Sequence, residues 1–290
     1  MPRSLIWKTG NPITKDWEYD WIHYLFSNGE ELEFYENISY VVEDAIIVIS
    51  VNNLCTSYLD KYESLKMPFW LVVLSDEFLK VPSFGTQYHM CRHVFRNYYY
   101  PNGHPRITPI GLGYKTGFWN QYQGITVDKI TNRPHLWSFV GTPTQHPDRH
   151  MALSTFKELE PNYIYFTTNF NSQNALSVED YRDTMLQSKF VLCPMGNANL
   201  DTFRLYETLE AGAIPIVLSY SGIQPHKPSY WNFMFHKPPP FIHFESWEKC
   251  KSIVQSMNKE QIEELRIECW NFWNEYKLQL KDKIQTILQS

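Results

Sequence analysis

The stretch CPMGNANLDTFRLYETLEAGAIPIVL, residues 193–218, decides how this chain reads. A short apolar strand ends at Cys193-Pro194, and a loop of Gly196, Asn197 and Asn199 follows. A helix then carries Arg204 and Glu207 three residues apart, on one face. Asp201 is placed to cap its start and Gly212 to stop it, and "AIPIVL" (213–218) is the next strand. Leu205 and Leu209 share the opposite face, which would bury. At the helix start, free backbone N–H groups and the dipole favour an anion. Arg204 could make charge-assisted bonds to a phosphate there. Glu207 cannot be attracted to that phosphate, and suits the two O–H donors of a ribose diol instead. On spacing alone an ordinary surface pair, with Asp201 as a simple cap, stays open.

The same alternation extends in both directions. Continuous apolar runs of strand length occur at 4–7, 45–51, 69–75, 93–99 and 107–112, and again at 136–141, 163–168, 189–194, 213–218 and 241–244. Continuous rather than alternating runs suit strands covered on both faces. Helical segments separate the later runs at roughly 148–159, 178–188, 202–211 and 246–257, with a long amphipathic helix from Lys259 to the end. Ser177 three residues before Asp180 fits a capping box. Strand and helix in alternation predict an α/β fold with parallel sheets. The weakly periodic segment 115–135 reads as a linker, and the Pro-rich segment 224–241 as a long loop.

Composition narrows the classes. Of 290 residues, 43% are hydrophobic and 20% charged, which is globular, and that length favours two domains over one. A net charge of −5 without a Lys/Arg block lacks the footprint of a nucleic-acid binder. Five scattered cysteines without a C-x-x-C pair argue against a zinc ribbon or disulfide framework, and read as reduced thiols. No apolar run reaches membrane-span length, and the first residues do not form a signal peptide. The expectation is a soluble, cytoplasmic protein without a membrane segment.

A second strand-to-helix junction, "SFVGTPTQHPDRH" (138–150), places Gly141-Thr142 at a strand tip and Arg149 in the first helical turn. Glycine there would let a ligand approach the backbone. A solvated arginine is the plain alternative for Arg149. In the first half, "FWLVVLSDEF" ends a strand in Asp76 and Glu77, which either cap the next turn or offer a carboxylate for proton abstraction. The pairs His89/His93 and His146/His150 lack the Glu of a zinc H-E-x-x-H helix. Aromatic residues, with "RNYYYP" (96–101) and "GFWNQY" (117–122) among them, suit sugar faces but are mostly core in any domain.

Cys193-Pro-x-Gly, Asp201-Thr-x-Arg204, Glu207 and "EAGAIPIV", with "FVGTPTQHPDR" upstream and "PPPFIHFESWEKC" downstream, together resemble the exostosin-type glycosyltransferases (glycosyltransferase family 47). The resemblance covers roughly 136–257, and the short form is similar to members encoded by large algal DNA viruses. It implies a GT-B fold: two Rossmann-like parallel-sheet domains facing a cleft, with a C-terminal helix crossing back to the first. The expected division is 1–125 on the acceptor side, 126–265 for the nucleotide sugar, and 266–290 as that helix. It implies an inverting transferase using a nucleotide sugar and an acceptor glycan. A UDP-sugar is expected, with UDP-xylose as the first guess because a compact form suits a pentose. Arg204 and Arg149 would hold the diphosphate and Glu207 the ribose, with Thr168 near the base. Gly141, Thr142, Gly196, Asn197, Asp201 and Thr202 would complete the donor wall. No two aspartates lie two residues apart, so the metal-binding Asp-x-Asp of the other major transferase fold is missing. Cations, with Lys115 as a third, would then do the work of a metal, and no cofactor is expected. The base would be Asp76 in preference to Glu77. A binding protein of the same fold that has lost catalysis is the alternative reading.

Overall fold

A computed structural model describes residues 3–8, 12–27, 32–51, 54–98, 103–119, 132–143, 146–169, 173–219 and 230–290. It contains two all-parallel sheets and ends in a long helix, as the apolar runs predict. The chain divides into two compact units, Met1–Thr116 with Lys277–Ser290, and Gly117–Tyr276.

The first unit is built on a six-stranded sheet. Its strands are β1 (Ser4–Trp7), β2 (Glu33–Glu36), β3 (Ala45–Ser50), β4 (Phe69–Leu74), β5 (Cys91–Arg96) and β6 (Ile107–Pro109). They pair in the order β2-β1-β3-β4-β5-β6. Every residue of β3 and β4 is buried, because helices cover both faces of these central strands. On one face Ile47, Ile49, Leu71 and Val73 pack with Tyr58, Leu59 and Tyr62 of α2 (Thr56–Leu65). On the other, α1 (Pro12–Phe26) buries Trp21, Ile22, Leu25 and Phe26, and the Phe26 ring meets Phe95 edge-on at 5.1 Å. Burying side chains of this size contributes about 1.5–3 kcal/mol each. The last part of α8 (Lys259–Gln289) joins this unit: Gln285 donates to the carbonyls of Leu25 and Phe26, and Arg3 donates to that of Leu288.

The second unit holds β7 (His135–Gly141), β8 (Asn162–Phe166), β9 (Ser188–Leu192), β10 (Ile214–Leu218) and β11 (Ile242–Phe244), in the order β11-β10-β9-β7-β8. Its helices are α3 (Pro147–Phe156), α4 (Val178–Leu186), α5 (Phe203–Glu210), α6 (Tyr230–Phe235), α7 (Trp247–Ser256) and the first part of α8. Phe156 of α3 packs edge-on between Trp137 of β7 and Trp247 of α7. Tyr206 of α5 lies 5.6 Å from Trp273 of α8. Helix starts and stops follow the sequence signals in two cases. Ser177 accepts from the Asp180 amide, and Gly212 turns left-handed at φ 61° to close α5.

Three local expectations are corrected. The N-cap of α5 is Thr202 rather than Asp201. Residues 230–235 of the Pro-rich segment form a short helix, α6, because its aromatic residues bury Tyr230, Trp231, Met234 and Phe235. β2 is an additional strand at the sheet edge, two adjacent aromatics flanked by exposed glutamates. The rest of the Pro-rich segment through residue 229, the middle of the 115–135 linker, and residues 99–102 lie outside the described residues. Among the described residues no helix is long and apolar enough to cross a membrane, and all five cysteines are free thiols.

Candidate active site

In the second sheet the chain steps from β7 out to β8, then returns to place β9 on β7's other side. Ligands of open α/β sheets bind outside the strand carboxyl ends where the order reverses in this way. Two stretches leave that point, 141–143 after β7 and 193–202 after β9. They carry Gly141, Thr142, Gly196, Asn197, Asp201 and Thr202, with Arg149, Arg204 and Glu207 on the helices that follow.

Gly141 has φ 148°, and a Cβ there would come within 2.5 Å of Arg204 Nη2. The missing side chain is the space that the guanidinium occupies. Arg204 Nη2 donates to the Val140 carbonyl at 2.9 Å, and the guanidinium lies 4.7 Å from the centre of the Phe139 ring. Its Nε is buried without a hydrogen-bond partner, and no carboxylate among the described residues pairs with this cation. The Thr202 hydroxyl, at the start of α5, is also buried without a partner. Donors of this kind, beside a helix N-terminus and lacking a counter-charge, form an arrangement complementary to an anion.

Arg149 and its neighbour Asp148 hold the second loop. Arg149 Nε donates to the Met195 carbonyl at 3.2 Å and Nη1 to the Thr142 carbonyl at 3.0 Å. Asp148 accepts from the Met195 amide at 2.9 Å and from Trp247 Nε1 at 2.7 Å. Both peptide groups of Met195 are therefore fixed from α3. His146 caps that helix by accepting from the Asp148 amide. The part played by Asp148 escaped the sequence reading, although it sits beside Arg149 in the quoted motif.

Glu207 is one turn along α5, only 2% exposed, and its Oε2 accepts from the Tyr181 hydroxyl at 2.9 Å. Burial and the Glu207 carboxylate push the Tyr181 phenol well above its ordinary value. Nothing in the sequence announces this partner, which lies on a different helix. Burial likewise pushes the Cys193 thiol up to about 12, so it stays protonated at neutral pH despite nearby Arg204. Thr142 and Thr167 hydroxyls stand 3.1 Å apart, while Thr168 is exposed and bonded to Asn174. Gly196 donates to the Asn199 carbonyl, Asn197 is exposed, and Asp201 lies buried near Tyr206, whose phenol it helps raise.

The remaining expected residues belong to the first unit. Lys115 stacks its ammonium on Trp17 at 4.3 Å. Asp76 is 1% exposed, and its oxygens accept from the amides of Lys80 and Val81 and from Arg96 Nη2 at 2.7 Å. A carboxylate so engaged holds the turn after β4 and offsets the buried Arg96 charge. Glu77 is half-exposed in the turn that Asp76 closes. Of the histidines weighed as metal ligands, His93 bonds Thr108, and burial holds its ring low, at about 4.

The two parallel sheets and the long C-terminal helix are those of the GT-B fold. A UDP-glucosyltransferase from Polygonum tinctorium, solved in complex with 3,4-dichloroaniline, superposes over the whole chain and 99% of its own, at TM-score 0.51 and 8% identity. That likeness shows the fold alone. Residues 118–290 match the family described as the RXYLT1 C-terminal domain, and the chain belongs to that family. It is 24% identical over 172 residues to ribitol-5-phosphate xylosyltransferase 1 of Homo sapiens, and 24% identical over 177 residues to that of Mus musculus. Each match takes in 54% of this chain and 38% of the relative, so the chain corresponds to well under half of those proteins.

Proposed function

We propose that this protein is a glycosyltransferase that moves a sugar from a UDP-sugar to an acceptor hydroxyl, with inversion and without a metal. The observation that carries the reading is Arg204, a cation without a carboxylate partner, held against Phe139 and the Val140 carbonyl in the space left by Gly141. Arg204 and the start of α5 would take the diphosphate, Arg149 would fix the loop around it, and Glu207 would meet the ribose. Fixed cations do here what a divalent ion does elsewhere: they offset charge developing on the leaving diphosphate. The resemblance of residues 136–257 to exostosin-type enzymes supports the same donor arrangement. The name of the two mammalian relatives makes xylose the first sugar to try and a ribitol phosphate the first acceptor.

A thermal-shift and titration series with UDP, UDP-xylose, UDP-glucose, UDP-glucuronate and GDP tests this. UDP compounds raise the melting temperature, with UDP-xylose binding more tightly than UDP, and GDP has little effect. Arg204→Ala weakens UDP by about 10–100-fold, the worth of a hydrogen bond to a charged group, while its own melting temperature changes little. Unaltered UDP affinity in that variant, or no response to any UDP compound, would sink the reading.

A further inference from the structure

No motif in the sequence singles out Tyr181, and the donor arrangement proposed above leaves it without a role. It sits on α4, 26 positions before its partner Glu207 on α5, and its hydroxyl donates to Glu207 Oε2 at 2.9 Å. A terminal carboxylate turns about a broad, roughly two-fold torsion, so burial by itself does not fix where its oxygens point. A donor from a second helix does fix them, because it ties one oxygen to a separate part of the scaffold.

That part of the scaffold is itself held at both ends. At the start of α4, Ser177 accepts from the Asp180 amide, and its carbonyl accepts from the Tyr181 amide. Arg182, the next residue, is fully buried and donates through Nη1 to the Phe118 carbonyl at 2.6 Å. Just past the far end, the Ser188 hydroxyl joins the Thr184 carbonyl, at 2.6 Å, to the Ser138 hydroxyl of β7, at 2.8 Å. Tyrosine adds only two torsions of its own, so little freedom is left between β7 and the phenol oxygen.

The electrostatics make the donation one-way. Burial first, and then the Glu207 carboxylate, push the Tyr181 phenol well above its ordinary value, against a smaller opposing effect of Arg204. The hydroxyl therefore keeps its proton at neutral pH and presents it to Glu207. Cys193, also close to the phenol, stays protonated and brings no charge. A carboxylate offers about four lone-pair sites, of which Tyr181 takes one. Arg204 precedes Glu207 by about 4.5 Å of helix rise. An anion at the first and a diol at the second are spaced as neighbouring parts of one nucleotide.

We infer that Tyr181 is a positioning residue: its hydroxyl holds the Glu207 carboxylate at the angle that receives a ribose diol, and so sets a preference for ribonucleotides over deoxyribonucleotides. This role rests on the transferase reading above, in which Glu207 meets the ribose.

Isothermal titration of the full chain with UDP and with 2′,3′-dideoxy-UDP, which lacks both ribose hydroxyls, tests it. Wild type binds UDP about 10–100-fold more tightly than the dideoxy compound, the worth of hydrogen bonds to a charged group. Tyr181→Phe removes a single oxygen. It weakens UDP by about 5–10-fold and leaves the dideoxy compound within about twofold of wild type, so the preference shrinks. In a Glu207→Ala background, Tyr181→Phe changes UDP affinity by less than about twofold, since no carboxylate is left to position. Equal weakening of both compounds by Tyr181→Phe makes Tyr181 a structural support only and overturns the role, as does an unchanged preference. If Arg204→Ala still weakens UDP in that case, the transferase reading survives without Tyr181. If wild type binds neither compound, both fall together.

Discussion

Asp76→Ala destabilises the first unit by about 3–5 kcal/mol, the cost of stranding a buried charge. Arg96 is fully buried, and its guanidinium is divided between Asp76, at 2.7 Å, and the carbonyls of Val81 and Pro82. Removing the carboxylate also frees the amides of Lys80 and Val81 that it accepts. Urea denaturation gives the number, and Asp76→Asn, which keeps the shape but not the charge, falls between variant and wild type. A loss below about 1 kcal/mol would mean that the pair behaves as an exposed one. Activity lost in either variant therefore reports on folding first.

Gly113→Ala has an effect of similar size by another route. Gly113 has φ 69°, and a Cβ there would lie 2.2 Å from Trp21 Cγ. Trp21 cannot yield, since it is fully buried and its Nε1 is bonded to the Gly111 carbonyl. Left-handed strain of about 1–2 kcal/mol adds to overpacking of about 1–3 kcal/mol or more. The melting temperature falls by about 4–20 °C, at about 2–4 °C per kcal/mol. A fall under about 3 °C would show that the loop after β6 can slide away from α1.

The fold was legible where burial was two-sided. β3 and β4 are apolar at nearly every position because helices cover both faces, and such runs stand out without any partner being known. β2 failed that test: "EFYE" is four residues at the sheet edge, with its glutamates exposed. α6 was hidden by the prolines around it. The residues proposed for the donor were legible as a group, because Gly141, Arg149, Arg204 and Glu207 lie in two short motifs at strand ends. Their partners were not, since Tyr181 and Trp247 reach the site from elements distant in sequence. The Asp76–Arg96 pair was hidden for the same reason, its two members lying 20 residues apart.

The Arg3–Leu288 and Gln285–Leu25 bonds have a consequence for the order of synthesis. The second unit is one continuous stretch, Gly117–Tyr276, and all of it can leave the ribosome before the first unit has its last piece. Nascent chain that has reached only Tyr276 exposes the backbone and apolar flank of α1 that residues 277–290 will cover. The first unit is thus finished after the second, and a ribosome stalled late would display the second sheet complete and the first half-covered.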